Sequence, residues 1–142
     1  MAEHSARPLI LLVEDEPAIT TALARLLDRW GFDVVAARTA VEAWAVLAGT
    51  PADLLIVDYK LPDVRGNDLY VQLVHEYPRL ERRTLFITGD LAEPSLQAIE
   101  ATHCPYLLKP FELGILVHEL RALLDPLDQP ASSERRTDVS AA

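Results

Sequence analysis

Leu9-Ile10-Leu11-Leu12-Val13 closes on Glu14-Asp15, and Leu54-Leu55-Ile56-Val57 closes on Asp58. Each stretch is an apolar run of strand length with no polar interruption, the pattern of a strand buried on both faces of a parallel sheet. Each ends in carboxylates. Working outward, Tyr106-Leu107-Leu108 ends at Lys109-Pro110, and Leu85-Phe86-Ile87-Thr88 ends in a hydroxyl before Gly89. A fifth, weaker run covers Val34 to Ala37. In a parallel α/β sheet the C-terminal strand ends share one edge, where ligands bind. This spacing therefore gathers three carboxylates, a hydroxyl and an ammonium at one place.

Helical patterns fill the gaps. In the first, Ile19, Ala22, Leu23, Leu26, Leu27 and Trp30 recur at i, i+3, i+4 spacing, with Pro17 suited to the first turn and Gly31 to the end. Thr39 with Glu42 is a capping-box pattern opening the second, whose apolar set is Val41, Trp44, Ala45 and Leu47. The third carries Leu69, Leu73 and Val74 and should stop before Pro78. The fourth is the weakest, with Pro94 at its start and Leu96 and Ile99 on one face. The fifth has Leu113, Leu116, Val117, Leu120 and Leu124. Strands and helices that alternate in this way imply right-handed crossovers. The expected fold is α/β: a flavodoxin-like (βα)5 three-layer sandwich around a five-stranded parallel sheet of order 2-1-3-4-5.

A chain of 142 residues is one domain by length. The expected organisation is a flexible N-terminus over residues 1–7, a folded domain over 8–125, and a disordered tail over 126–142. The tail has Pro126, Pro130, Ser132 and Ser133 but no apolar period. The single cysteine, Cys104, cannot bridge internally, which points to a reducing compartment and a cytoplasmic location. No apolar run reaches bilayer length, and the stretch after Arg7-Pro8 meets two acids too soon for a signal peptide. A net charge of −9 argues against direct binding of nucleic acid, which needs a basic patch. The four histidines show no metal-ligand spacing.

Crowded carboxylates repel one another unless a cation sits among them. An all-oxygen set suits Mg2+, which keeps several waters and takes one or two carboxylates plus phosphate oxygens. Lys109 adds a point charge suited to a phosphoryl group. The Thr88 hydroxyl and the backbone N–H of Gly89 could donate to phosphoryl oxygens. Asp58, at the end of its run, is a competent nucleophile toward phosphorus.

The four segments Val13-Glu14-Asp15-Glu16, Val57-Asp58-Tyr59-Lys60-Leu61-Pro62, Ile87-Thr88-Gly89 and Leu108-Lys109-Pro110-Phe111 stand in this order. Their order and spacing closely resembles the receiver domain of two-component response regulators, over roughly residues 9 to 124. The resemblance implies that Asp58 accepts a phosphoryl group from phosphohistidine on a histidine kinase or a histidine phosphotransfer protein. It implies Mg2+ bound directly by Asp15, through water by Glu14, and by Asp58 and the backbone carbonyl of Lys60. It makes Lys109 the bridge between the acids, places a cis peptide before Pro110, and casts Thr88 and Tyr106 as switch residues. The protein would then switch protein–protein interactions, catalyse only its own phosphorylation and dephosphorylation, and could dimerise through the fourth and fifth helices.

Lys60, two residues after Asp58, and Asp90, two residues after Thr88, carry opposite charges on loops at the same sheet edge. They are expected to approach across the mouth of the site and to control water access. Three features depart from the family pattern. Glu14 stands where many members have Asp, Arg65 precedes Gly66 where an acid is commoner, and the segment from Thr88 to Lys109 is about one residue shorter than in the chemotaxis regulators. The last unsettles the fourth helix. One alternative is a Mg2+-dependent phosphohydrolase of the haloacid-dehalogenase type, but Lys60 stands where those enzymes carry a second Asp. Another is a flavin-binding flavodoxin, but Glu14-Asp15-Glu16-Pro17 is electrostatically wrong for a phosphate loop.

Overall fold

The computed structural model describes residues 7–124. The expected tail, and the expected flexible N-terminus apart from Arg7, lie outside the described residues. Five parallel strands form one sheet in the order β2-β1-β3-β4-β5. They are β1 (Leu9–Val13), β2 (Asp33–Ala37), β3 (Leu54–Asp58), β4 (Thr84–Thr88) and β5 (Tyr106–Leu108). The helices are α1 (Pro17–Arg29), α2 (Ala40–Gly49), α3 (Gly66–Glu76), α4 (Glu93–Glu100) and α5 (Leu113–Leu124), with a short 3-10 helix over Pro78–Arg82. No described helix is long and apolar enough to cross a membrane.

The twofold alternation of a strand splits the core into two layers. Leu11, Val13, Leu55, Val57 and Phe86 pack with residues of α2, α3 and α4 on one face. Ile10, Leu12, Leu54, Ile56, Leu85 and Ile87 pack with α1 and α5 on the other. Both β3 and β4 are buried along their whole length, so their C-terminal polar residues, Asp58 and Thr88, are held by a rigid wall.

The described helices follow the sequence signals at their ends more closely than on their faces. α1 starts at Pro17, and Gly31 beyond its end adopts a φ of 97°, which only glycine takes without strain. The Thr39 hydroxyl accepts from the Glu42 amide at 3.1 Å, as the capping pattern requires, while the Glu42 carboxylate reaches Arg38 N–H, one residue earlier than expected. The apolar set expected for α2 is corrected. Val41 is 71% exposed and Ala45 is exposed, and the buried residues are Ala40, Ala43 and Leu47. The buried residues recur at i, i+3, i+7, one helical face, and Val41 and Ala45 fall on the opposite side. In α1, likewise, Ala22 faces solvent, as does Trp30 just beyond its end, and Leu23 and Leu27 are buried. The fourth helix forms despite its short segment, burying Ser95 and Ile99, and His103 after it takes a φ of 63°.

The end of the sheet away from the carboxylates is tied by charge. Arg7 Nε donates to Asp33 Oδ1 at 2.8 Å and Arg7 Nη2 to Asp28 Oδ1 at 2.6 Å. Asp53 Oδ2 accepts from Leu9 N–H at 2.8 Å, and its Oδ1 pairs with Arg79 at 3.0 Å.

Candidate functional site

Strand register decides which residues meet. Val13 pairs with Val57, so Glu14 follows level with Asp58. Asp58 pairs with Ile87, and Thr88 pairs with Leu108, the residue before Lys109. The loops that leave these strand ends carry the expected site residues to one edge.

Lys109 is the hub. Its Nζ donates to Glu14 Oε1 and to Asp58 Oδ2, both at 2.9 Å, and lies 3.4 Å from Glu16 Oε1. The Lys109 backbone N–H donates to Thr88 O at 2.8 Å, and the Lys109-Pro110 peptide is cis. Glu14 is fully buried and Asp58 nearly so. The second oxygen of Glu14 accepts from Glu16 N–H at 3.0 Å. Asp58 Oδ1 accepts from Lys60 N–H at 3.2 Å. Burial pushes the Glu14 carboxyl up to about 7, against the opposing hydrogen bonds from Lys109 and Glu16 N–H. Burial also disfavours charge on Lys109, but hydrogen bonds to Asp58 and Glu14 outweigh it and raise its pKa.

The donor set fits a divalent cation. Carboxylate oxygens of Glu14, Asp15 and Asp58 lie within 4.8 Å of one another. Lys109 supplies one positive charge against these acids and Glu16. Among the described residues nothing pairs with the Asp15 side chain, which is half-buried at the rim of the cluster. A half-buried carboxylate with free lone pairs beside two others is the arrangement that attracts a hard cation.

Thr88 is fully buried, and its Oγ1 accepts from Asp90 N–H at 2.9 Å. Asp90 is held on three sides, by Ala92 N–H at 2.9 Å, the Ser95 hydroxyl at 2.6 Å and Lys60 Nζ at 3.5 Å. The Ser95 hydroxyl and the Ala92 amide keep its carboxyl below the usual carboxylate range. Tyr106 is half-buried, and its hydroxyl donates to Glu100 Oε2 at 3.2 Å. Burial first, and this hydrogen bond second, push the phenol upward.

The structure thus brings Glu14, Asp58 and Lys109 into direct contact and sets Asp15 among them. Lys60 and Asp90 face one another beside that group, and Tyr106 lies outside it, against α4. Three participants were missed. Glu16 reads in sequence as an acid at a helix start, although its spacing from Glu14 is visible there. Ser95 and Glu100 lie on α4, where the sequence pattern was poorest.

The family model described as the response regulator receiver domain matches residues 10–121. Response regulator protein PilR of Pseudomonas aeruginosa is 35% identical over 133 residues, covering 94% of this chain and 29% of PilR. Transcriptional regulatory protein TrcR of Mycobacterium tuberculosis is 35% identical over 131 residues, covering 89% of this chain and 50% of TrcR. The chain therefore spans half or less of the length of these two relatives. A CheY-like response regulator receiver domain protein from Methanospirillum hungatei superposes with a TM-score of 0.78 at 25% identity, covering 87% of this chain and 98% of that one. The signal receiver domain of an HD domain-containing protein from Pseudomonas fluorescens gives 0.76 at 31% identity, covering 83% and 94%. Nothing among these matches supports the phosphohydrolase alternative. The family match over most of the chain and the parallel sheet of order 2-1-3-4-5 agree, and the chain belongs to the response regulator receiver domains, the phosphorylation-activated modules of two-component signalling.

Proposed function

We propose that Asp58 is the phosphoacceptor, and that the donor is phosphohistidine on a histidine kinase or histidine phosphotransfer protein. An Asp58 oxygen attacks phosphorus as the P–N bond to the donor imidazole breaks, and the imidazole leaves neutral, keeping the proton already on its other ring nitrogen. Positioning and charge neutralisation carry such a transfer. One observation bears most of the weight: Lys109 Nζ sits 2.9 Å from both Asp58 and Glu14. A cation held there neutralises Asp58 at rest and is within reach of a phosphoryl group attached to it. Thr88, on the adjacent strand, would donate its hydroxyl to that group, and its contact with the loop at Asp90 would carry the change toward α4 and Tyr106. The protein would catalyse only its own phosphorylation and dephosphorylation, in the cytoplasm, and act by docking a protein partner. Ile115 on α5, with Leu91 and Leu108 nearby in sequence to α4 and on β5, leaves apolar surface for a homodimer through α4 and α5. The test is phosphotransfer from purified, phosphorylated histidine kinases. Label should appear on the peptide carrying Asp58, and label confined to another peptide rejects the assignment.

Asp15, Asp58, Glu14 and the Lys60 carbonyl would hold Mg2+. When bound, the ion neutralises charge on the phosphoryl oxygens. Because the Asp15 carboxylate has no other partner among the described residues, Asp15→Ala is expected to weaken Mg2+ binding by about 10-fold or more. Calorimetric titration measures this directly, and an unchanged affinity excludes Asp15 as a ligand.

The Lys60–Asp90 pair would limit the approach of water to the acyl phosphate. Lys60 is 67% exposed on its side chain, so the pair adds little stability. Its effect would be steric. Replacing both residues with Ala is expected to shorten the phosphoryl lifetime severalfold, as followed by loss of label after the donor is removed. A lifetime equal to the parent's would show that no gate exists.

A further inference from the structure

The loop from Asp58 to Gly66 bends back on itself. Lys60 and Arg65 form an antiparallel bridge, and Gly66 N–H donates to Tyr59 O at 2.6 Å. At its tip, Asp63 reaches away from the loop. Asp63 Oδ1 accepts from Ala40 N–H at 3.0 Å and Oδ2 from Val41 N–H at 3.2 Å. Both are first-turn amides of α2 that the helix itself cannot satisfy. These bonds keep the Asp63 carboxyl below the usual range. The sheet order gives the contact its meaning. β1 lies between β2 and β3, so a bond from the β3–α3 loop to the start of α2 joins the connections that leave the strands on either side of β1, the strand that leads into Glu14 and Asp15. Thr39 already caps α2 from within by accepting from Glu42 N–H at 3.1 Å. The two caps serve different amides, and only the Asp63 bonds tie a second element to the helix end.

We infer that Asp63 is a positioning residue for the acidic site: by anchoring the β3–α3 loop to α2, it fixes the Lys60 backbone against Asp58. This rests on the reading of Asp58, Asp15 and the Lys60 carbonyl as the Mg2+ and phosphoryl site. Lys60 is only three residues from the anchored tip and donates its N–H to Asp58 Oδ1 at 3.2 Å. Releasing the tip frees this amide and the carbonyl beside it.

The experiment compares Asp63→Ala with Thr39→Ala. Both remove capping bonds from the same helix end, two in the first and one in the second, so both lower stability. Only the first frees the loop. Hydrogen exchange without metal should show faster exchange at the Lys60 and Gly66 amides in Asp63→Ala and not in Thr39→Ala. Mg2+ affinity by titration should fall roughly 10-fold in Asp63→Ala and less than about twofold in Thr39→Ala. Asp63→Asn, which keeps one acceptor oxygen, should lie between. Exchange at Lys60 and Gly66 unchanged by Asp63→Ala, or raised equally by both variants, overturns the inference whatever the metal does. Loosened exchange with unchanged Mg2+ affinity also overturns it, since the site would not depend on the anchor. If the parent protein itself bound no Mg2+, the reading of the metal site would fail. The exchange comparison alone would then decide whether Asp63 fixes the loop.

Discussion

Asp58→Asn is expected to reduce phosphorylation by at least ~10³-fold while leaving the fold intact. The amide has the shape of the carboxylate, and its oxygen can still accept from Lys60 N–H, as Asp58 Oδ1 does at 3.2 Å. What it lacks is the negative charge that makes an oxygen nucleophilic toward phosphorus. The stability side of the balance is favourable. Asp58 raises the pKa of buried Glu14 by repulsion, and that repulsion disappears in the variant. Lys109 keeps its 2.9 Å contact with Glu14. The thermal midpoint should therefore equal or exceed the parent's. Intact-mass measurement after incubation with acetyl phosphate and Mg2+ checks the chemistry, and a persistent phosphoryl adduct on the variant would falsify the central role of Asp58.

Gly66→Ala is expected to cost the most stability of any single-methyl change near the site. A Cβ at Gly66 would lie 2.5 Å from the Asp58 carbonyl oxygen, 2.9 Å from Tyr59 Cα and 3.0 Å from Val57 Cγ1. Two of these are backbone atoms, which cannot rotate aside. Alanine would gain up to about 1 kcal/mol of helix propensity at this first position of α3. Overpacking in a rigid site costs about 1–3 kcal/mol, occasionally more. With backbone opposing backbone the steric cost should win, for a net loss of about 2 kcal/mol. The clash pushes directly on the Asp58 carbonyl, so the phosphorylation rate should fall along with stability. Denaturant melts read the first effect and acetyl phosphate kinetics the second. A variant as stable and as reactive as the parent would mean that the loop relaxes freely.

The sites were legible in sequence for a physical reason. Each stands at the end of an apolar run, and parallel register brings those ends together without further information. Thus Glu14, Asp58 and Lys109 could be placed from their neighbours, and alternation implied a parallel sheet, whereas its order rested on the flavodoxin-like arrangement. Helix faces were less legible. On α2 the apolar pattern suggested Val41 and Ala45, whereas the buried face is Ala40, Ala43 and Leu47, because residue type alone does not fix how a helix is rotated on the sheet. The 3-10 helix at Pro78–Arg82 left no periodic trace. Contacts between separate elements, such as Asp63 on α2, Ser95 on Asp90 and Glu100 on Tyr106, depend on placement in space and have no signature in spacing.

The register of the strands also dictates the length of the cationic arm. Asp58 is paired with Ile87, Thr88 with Leu108, and Lys109 comes one residue later still. From β3 to β5 the site therefore climbs like a stair, one residue per strand. At about 3.3 Å per residue, the backbone of Lys109 stands roughly 6–7 Å above that of Asp58 along the strand direction. A four-carbon stem can lean back down over that drop and still present its charge at the lowest step. A cation on a short stem, such as an imidazolium, would be stranded at the top. The choice of lysine at this corner is thus a matter of reach before it is one of charge.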